Sequence, residues 1–292
     1  MRLTWNVALL SLSLVGTDAD VSNAQTLTSD LYIAAKASKM AYSVDANADS
    51  HGPVAPTDTS ELAKWYRDRL GCNSYFQRYN VLPEQMTYLI AARPGLVIVA
   101  FRGTLTDSNR AMNLRGTPRL DNVGMENVLS HTGWATAVNR IYPTIKRQIQ
   151  LRDQNGTARI IVTGHSMGGA IAGYVTHRLL RDGMFGRRGY SRLMTFGSPR
   201  FSGERIFTDA SLNEALAGAN SKNLWLYSVE TQYDPKLEDW GISVRAGGLL
   251  TFTVQRTGTW VDFKLSEIGV TDSTEAHNYS HYENIAKKRA GQ

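Results

Sequence analysis

The sequence contains only one cysteine, Cys72, among its 292 residues, so no disulfide can form within the chain. It also lacks a long apolar run. The longest N-terminal one, Val7 to Gly16, is well short of the roughly 20 residues that a transmembrane helix needs. We therefore expect a fold that is stable without covalent cross-links, and no transmembrane segment.

Motifs for nucleic-acid or metal binding are missing as well. The formal net charge is +6, but no helix-turn-helix, RNA-recognition or zinc pattern accompanies it, so we expect no nucleic-acid partner. His51, His131 and His177 have no convincing zinc spacing. We interpret them as surface or satisfied polar residues and expect neither metal nor cofactor. Cys72 has no basic sequence neighbour that would activate its thiol, which predicts a small buried hydrophobe.

The first residues have the pattern of a secretory signal. Arg2 supplies a positive charge, Val7 to Gly16 an apolar core, and Ser22 to Ala24 the small residues of a cleavage site. We predict that residues 1–24 are a signal peptide and that residues 25–292 form one domain, in a secreted or periplasmic protein. The alternative is an ordinary buried N-terminal helix.

Basic residues are concentrated in two parts of the chain. They are Arg178, Arg181, Arg187, Arg188 and Arg192, and then Lys287, Lys288 and Arg289. A basic surface attracts anionic lipid headgroups, so transient contact with a lipid surface is one expectation. The other is a solvated face that only keeps the protein soluble.

Hydrophobic patterning predicts strands that alternate with helices, which favours an α/β fold with a largely parallel sheet. The predicted strands are Met86 to Ala92, Leu96 to Phe101, Arg159 to Thr163, Arg192 to Phe196, Asn223 to Val229, Leu249 to Gln255 and Thr259 to Leu265. The predicted helices are one capped by Ser29-Asp30 that runs to about Tyr42, Glu61 to Leu70, residues 133–151 and 168–182, and Tyr282 to Lys288.

One predicted strand runs into the sequence Gly164-His165-Ser166-Met167-Gly168, and a predicted helix follows. This is the G-x-S-x-G pattern of a nucleophilic serine on a tight strand-to-helix turn. The glycines leave room for the turn, and the helix directs its first N–H groups at a developing oxyanion. The pattern alone is weak, so the inference depends on the strand and helix that flank it.

A serine nucleophile needs a histidine to accept its proton and a carboxylate to orient that histidine. In α/β-hydrolase-type folds both follow the serine, acid first. Asp234, which follows a predicted strand and precedes Pro235, is the candidate acid; Glu238, Asp239 and Asp262 lack that context. His277 and His281 are the candidate bases, because no other histidine follows the helix of Ser166.

Four segments in this order and spacing resemble the fungal-type class 3 lipase family of the α/β-hydrolase superfamily. They are Phe101-Arg102-Gly103-Thr104, Gly164 to Ala170, Thr195-Phe196-Gly197-Ser198-Pro199-Arg200 and Tyr233-Asp234-Pro235. The resemblance covers roughly residues 30–290. It implies an α/β-hydrolase-type, mostly parallel central sheet with helices on both faces, in a single domain.

The resemblance also implies a role for each site residue. Ser166 is the nucleophile, Asp234 the acid, and Thr104 and the Met167 backbone N–H the two oxyanion donors. Plant relatives show H-N-L-E-x-Y, and the segment His277 to Tyr282 keeps its histidine, asparagine and tyrosine, which favours His277 over His281. His165 occupies the variable position of the motif and is interpreted as a packed neighbour. Each role has a structural alternative. Ser166 and Asp234 could each only form a turn, and Thr104 could only close its turn.

The implied activity is that of an exported serine hydrolase that cleaves carboxylic esters of lipids, a triacylglycerol lipase or carboxylesterase acting through a Ser-His-Asp acyl-enzyme. After Thr104, however, the family often shows N-W-x-x-D-[LF], whereas this chain has Asn109-Arg110-Ala111-Met112-Asn113-Leu114. The predicted lid, residues 105–122, carries Asp107, Arg110, Arg115, Arg119 and Asp121. These charges argue against strong activation at an oil-water interface, and favour a more polar ester or a phospholipid.

Three alternatives to this lipase or carboxylesterase activity stay open. They are a phospholipase A1-like activity on anionic lipid, transfer of the acyl group to another alcohol, and a catalytically silent relative that binds lipid.

Overall fold

The computed structural model describes residues 18–44, 59–81, 85–114, 118–120, 129–185, 191–199, 224–231, 259–264, 267, 269 and 277–292. The strands are β1 Ser74–Val81, β2 Met86–Arg93, β3 Leu96–Phe101, β4 Pro118–Leu120, β5 Leu129–His131, β6 Arg159–His165, β7 Ser191–Phe196, β8 Leu224–Thr231 and β9 Thr259–Phe263. The helices are α1 Asp18–Ser43, α2 Glu61–Leu70, α3 Asp107–Leu114, α4 Thr132–Arg152, α5 Met167–Arg181 and α6 Tyr279–Arg289.

In the part of the chain that the structure describes, seven strands form one sheet in the order β1-β2-β3-β6-β7-β8-β9, and β4 and β5 form a separate pair. The pairs β1-β2 and β2-β3 are antiparallel, and the remaining pairs of the large sheet are parallel. The predicted mostly parallel sheet is thus confirmed. Phe101 pairs with Gly164 and His165 with Phe196. The loops after β3, β6 and β7 therefore leave the sheet at one edge, where parallel α/β sheets bind ligands.

The sheet is buried on both faces. Along β3, alternate side chains point to opposite sides: Val97 and Val99 pack with residues of α4 and α5, and Ile98 and Ala100 pack with residues of α1, α2 and α6. A strand that is covered on both faces must be apolar at every position, which explains why β3 reads as an unbroken apolar run. The predicted arrangement of helices on both faces is confirmed.

Most predicted elements agree with the structure to within a few residues. Glu61–Leu70 and Leu96–Phe101 have the predicted bounds, and Gly71 ends α2 in the left-handed conformation, with φ 64°. Leu249 to Gln255 lies outside the described residues. The strands β1, β4 and β5 and the helix α3 were not predicted from the sequence.

The start of α1 differs from the prediction. The helix begins at Asp18 and passes through Ser22 to Ala24, so Ser29-Asp30 is not its N-terminal cap. The Asp30 side chain is fully buried and bonds to Arg159. An ionised carboxylate at such a depth needs a charged partner, which a short-range sequence pattern cannot identify. Removal of residues 1–24 stays a prediction.

The basic surface predicted from sequence is also smaller than expected. Arg192 is 4% exposed and lies 3.1 Å from Asp30, so its inclusion in a surface was wrong. Arg178 bonds to Asn139 and lies over the Tyr142 ring. Arg187 and Arg188 lie outside the described residues, and Arg289 pairs with Glu267.

Two further predictions concern buried polar side chains. Cys72 is 1% exposed, as predicted, and its burial raises the pKa of its thiol to about 12. His177 is buried in α5, where burial, together with Arg181 and Arg178, lowers its pKa to about 4. His51 lies outside the described residues. No helix among the described residues is both long and apolar enough to cross a bilayer.

Candidate active site

Ser166 occupies a strained turn between β6 and α5. Its backbone has φ 56° and ψ −132°, a conformation that residues other than glycine rarely adopt. The Ser166 N–H donates to the carbonyl oxygen of Phe196 at 2.9 Å, which attaches the turn to the end of β7. The tight turn predicted for the G-x-S-x-G segment is therefore present.

The glycines of this motif are required by close backbone packing. A Cβ atom on Gly164 would lie 2.2 Å from the carbonyl oxygen of Gly168. One on Gly168 would lie 2.3 Å from the carbonyl oxygen of Phe101. Neither backbone neighbour can move away cheaply, so any side chain at these positions would displace α5 from the end of the sheet.

His277 lies directly beside the serine. Its Nε2 is 2.8 Å from Ser166 Oγ, the distance of a hydrogen bond between a nucleophile and its base. His281, the alternative base, is buried in the first turn of α6. Asp234 lies outside the described residues and stays a prediction. The same holds for Glu238, Asp239 and the side chain of Asp262.

Thr104 follows β3 and is held by a short chain of hydrogen bonds. Its Oγ1 accepts from Asn113 Nδ2 at 2.8 Å, and Asn113 Oδ1 accepts from Trp134 Nε1 at 2.9 Å. An indole N–H can only donate, so this contact fixes which end of the Asn113 amide faces Thr104. The Thr104 hydroxyl donates only a long contact, 3.7 Å, to Met167 Sδ. Its proton therefore has a weak acceptor that a stronger one can replace.

His131 supports the same chain from the N-terminus of α4. Its Nδ1 accepts from the Trp134 backbone N–H, so Nε2 is the atom that donates to the Asn113 carbonyl oxygen, at 3.0 Å. The two rings of His131 and Trp134 stack at 3.8 Å. Burial lowers the pKa of His131, which favours the neutral ring that these contacts require. It is a satisfied polar residue, one of the two interpretations made from sequence.

The predicted lid begins as a well-capped helix. Thr106 Oγ1 accepts from the Asn109 N–H, and Asn109 Oδ1 accepts from the Thr106 N–H, which together form a reciprocal cap for α3. Asn109 is 1% exposed, whereas Leu105 before it is 54% exposed. The side chains of Arg110 and Arg119, and the whole of Arg115 and Asp121, lie outside the described part of the chain. The charge pattern of the lid thus stays a prediction.

The residues brought together here line one cavity of about 490 Å³. Its walls include Ser166, His277, Thr104 and Met167, together with Tyr42, Leu105, Asn113, Trp134, His165, Gly197, Pro199 and Tyr279. Within the described ranges, no three histidine, cysteine or carboxylate side chains are grouped as a metal site requires. The cavity thus combines a serine hydroxyl, an imidazole within hydrogen-bond distance of it and a second hydroxyl, that of Thr104.

Sequence reasoning missed two polar residues of this cavity. Tyr42 was only the end of a predicted helix, although its hydroxyl lies 2.9 Å from His165 Nδ1. In the sequence, Asn113 stands out only as a departure from a family motif. Its position nine residues after Thr104, on the predicted lid, was a signal that it could reach that hydroxyl.

Comparison with known proteins agrees with the resemblance. Residues 98–226 match the family described as Lipase (class 3). A secreted mono- and diacylglycerol lipase from Fusarium solani is 33% identical over 106 residues, which are 36% of this chain but only 30% of that protein's length. The resemblance to class 3 lipases is confirmed in this part of the chain.

The fold is also similar to that of a solved structure with a TM-score of 0.50. A lipase–propeptide complex from Rhizomucor miehei has a TM-score of 0.50 at 14% identity, and the match covers 93% of this chain and 76% of that one. A protein named MDLA from Penicillium cyclopium has a TM-score of 0.48 at 17% identity, with coverage of 92% and 98%.

Proposed function

We propose that the chain hydrolyses carboxylic esters of lipids through a Ser-His-Asp acyl-enzyme, as its match to the class 3 lipase family over residues 98–226 suggests. One observation supports this most strongly. His277 Nε2 lies 2.8 Å from the hydroxyl of a serine that is held at a positive φ at the start of a helix. A serine that only formed a turn would need neither this histidine nor the strained backbone.

In the acylation step, His277 accepts the proton of Ser166 while Oγ attacks the ester carbonyl carbon. Asp234, by its resemblance to the family acid, orients the imidazolium that forms. The tetrahedral intermediate then collapses, the bond to the alcohol oxygen breaks, and His277 gives its proton to the leaving alcohol. Ser166 is left as an acyl ester.

Two donors stabilise the negative charge on the carbonyl oxygen. Met167 is the first residue of α5, so its N–H has no acceptor within the helix, and the residue lines the cavity beside Ser166. The Thr104 hydroxyl exchanges its weak contact with Met167 Sδ for the oxyanion. The bond from Asn113 keeps the Thr104 oxygen in place during this exchange.

Hydrolysis is completed when His277 takes a proton from water and the hydroxide attacks the acyl ester. The acid is released and Ser166 recovers its proton. This route uses no metal and no cofactor. We further propose that the protein is exported, with residues 1–24 removed, and meets its substrate at a lipid surface. A secreted relative supports this proposal.

The central test is to react the purified protein with a fluorophosphonate and to locate the label. We expect labelling at Ser166 in the wild-type protein, none in Ser166→Ala, and at least about a thousandfold loss of ester hydrolysis in that variant. Labelling elsewhere, or full turnover by Ser166→Ala, would contradict the proposal. A folded protein that does not react at all is instead the silent lipid-binding relative.

Two histidine variants form a matched pair. His277→Ala should lose turnover nearly as completely as Ser166→Ala, whereas His281→Ala should stay within about threefold of wild type. The reverse pattern would assign the base to His281.

Substrate class is tested with p-nitrophenyl esters of increasing acyl length, emulsified triacylglycerol and anionic phosphatidylglycerol vesicles. We expect ester and acylglycerol hydrolysis to exceed phospholipid hydrolysis. Faster release of fatty acid from the vesicles would establish the phospholipase alternative, and product esters formed with an added alcohol would establish acyl transfer.

A further inference from the structure

His165, the residue between Gly164 and the nucleophile, uses both of its ring nitrogens. Nε2 lies 2.9 Å from the backbone carbonyl oxygen of His277, and Nδ1 lies 2.9 Å from the hydroxyl of Tyr42. The side chain is 3% exposed. His165 therefore connects the C-terminal end of α1 to the backbone of the base.

The direction of each hydrogen bond follows from the chemistry of the partners. A carbonyl oxygen only accepts, so His165 Nε2 carries the proton and, in the neutral ring, Nδ1 accepts from the Tyr42 hydroxyl. The Gly103 backbone N–H in turn bonds to the Tyr42 oxygen. Burial raises the pKa of Tyr42, which keeps this hydroxyl a donor. Every bond in the chain from Gly103 to His277 then has a donor and an acceptor.

The His277 segment gains a second attachment to α1 through stacked rings. Tyr279, at the start of α6, stacks on Tyr42 with centroids 4.4 Å apart and planes 14° from parallel. His277 itself lies before Asn278, the N-cap of α6, and hence outside the hydrogen-bond ladder of that helix. The position of its backbone thus depends on contacts with other elements.

We propose that Tyr42 and His165 are positioning residues that hold the His277 backbone so that Nε2 faces Ser166 Oγ. Neither residue hydrogen-bonds to the reacting atoms; His165 acts on the base through its carbonyl oxygen and through packing of the two rings, whose centroids lie 4.6 Å apart. The inference rests on the proposed function, because it assumes that His277 is the base. A misplacement of about 1 Å between reacting groups can lower a rate on the order of a hundredfold, so the effect should be large enough to measure.

The test compares two substitutions of one residue. His165→Gln offers an amide N–H to the His277 carbonyl and an oxygen to the Tyr42 hydroxyl, whereas His165→Leu offers neither. With a soluble p-nitrophenyl ester, we expect His165→Leu to lower kcat about thirtyfold while KM changes less than about threefold. His165→Gln should recover most of that loss.

A second variant tests whether the residues act as one chain. Tyr42→Phe keeps the ring that stacks on Tyr279 and removes only the hydroxyl, and we expect it to lower kcat about fivefold. Added to His165→Leu, it should cost little more, because the link is already broken. The rate of fluorophosphonate labelling of Ser166 should fall in parallel with kcat, while thermal unfolding of Tyr42→Phe and His165→Gln stays close to wild type.

Unchanged kcat in His165→Leu, a loss in His165→Gln equal to that in His165→Leu, or additive effects in the double variant would each overturn the proposal. If His165→Leu does not fold, the kcat values of Tyr42→Phe and His165→Gln alone decide whether the proposal stands. Failure of the proposed function looks different, because the wild-type protein would then show no labelling at Ser166.

Discussion

The cavity is supported on two sides by hydrogen-bond chains of different construction. On the base side, Tyr42 and His165 reach the backbone of His277 from α1. On the oxyanion side, Trp134 and Asn113 reach the side chain of Thr104 from α4 and α3. One chain fixes a main-chain atom of His277, the proposed base, and the other orients the Thr104 hydroxyl, the proposed oxyanion donor. A defect on the base side should therefore slow proton transfer, and one on the oxyanion side should weaken transition-state binding.

The largest effect is expected where both sides meet, at Gly103. A Cβ atom there would lie 2.0 Å from the Tyr42 hydroxyl oxygen and 2.7 Å from the carbonyl oxygen of His165, so Gly103→Ala should displace both. We expect at least about a thousandfold loss of kcat/KM, measured with a soluble ester. Tyr42→Phe in the same chain removes the closer clash and should restore part of the thermal stability. A variant with wild-type activity would show that the two sides are not joined at this residue.

Next in size is the loss of the Thr104 hydroxyl, the proposed oxyanion donor. Thr104→Val keeps the shape of the side chain and removes its donor, which should lower kcat/KM by about 10²- to 10³-fold, while Thr104→Ser should retain most of the activity. Steady-state kinetics of the two variants measures the difference. Equal activity in both would mean that Thr104 only closes its turn.

A smaller loss is expected at the second residue of the oxyanion side. Asn113→Leu leaves the Thr104 hydroxyl in place but removes the donor that orients it, so kcat/KM should fall about tenfold. Trp134→Phe, which removes the indole donor, should cost a few-fold in the wild-type background and little in Asn113→Leu. If the double variant lost activity by the full product of the two single losses, Asn113 and Trp134 would not act as one hydrogen-bond chain.

The smallest effect on activity is expected at His177, which belongs to neither side. Its pKa of about 4, against an ordinary 6.5, means that between these values the unfolded chain binds a proton that the folded chain does not. The free energy of unfolding should therefore fall as pH falls through this window, by up to about 3 kcal/mol, and that dependence should be flatter in His177→Gln. Urea unfolding near pH 4 and near pH 7 measures it. The same pH dependence in both proteins would assign the change to other groups.

The elements that sequence predicted well are those with a strong local pattern. β3 is buried on both faces, and α2 has both a serine cap and a terminal glycine, so neighbouring residues specify each of them. β1 was missed because its sequence, Ser74 to Val81, mixes polar with aromatic residues and becomes a strand only by pairing with β2 at the edge of the sheet.

The residues of the site likewise divide into those that a local motif predicts and those that distant contacts define. Ser166 and His277 lie in recognisable motifs, whereas Tyr42 gains its role from His165, 123 positions away. Likewise, Asp30 is of a residue type common at helix N-caps, but Arg159, 129 positions away, makes it a buried ion-pair partner. Pairing over such distances leaves no periodic pattern in the sequence.

The attachment of α1 also constrains the order in which the chain can be assembled. Its contacts with β6, through Asp30, Ser38 and Tyr42, join residues 123 to 129 positions apart. During synthesis the helix is made first, yet it gains these partners only when more than half of the chain has been made. Closing so long a loop costs conformational entropy and therefore slows docking, so α1 should dock late in refolding. Enzyme activity would then return after the sheet has formed.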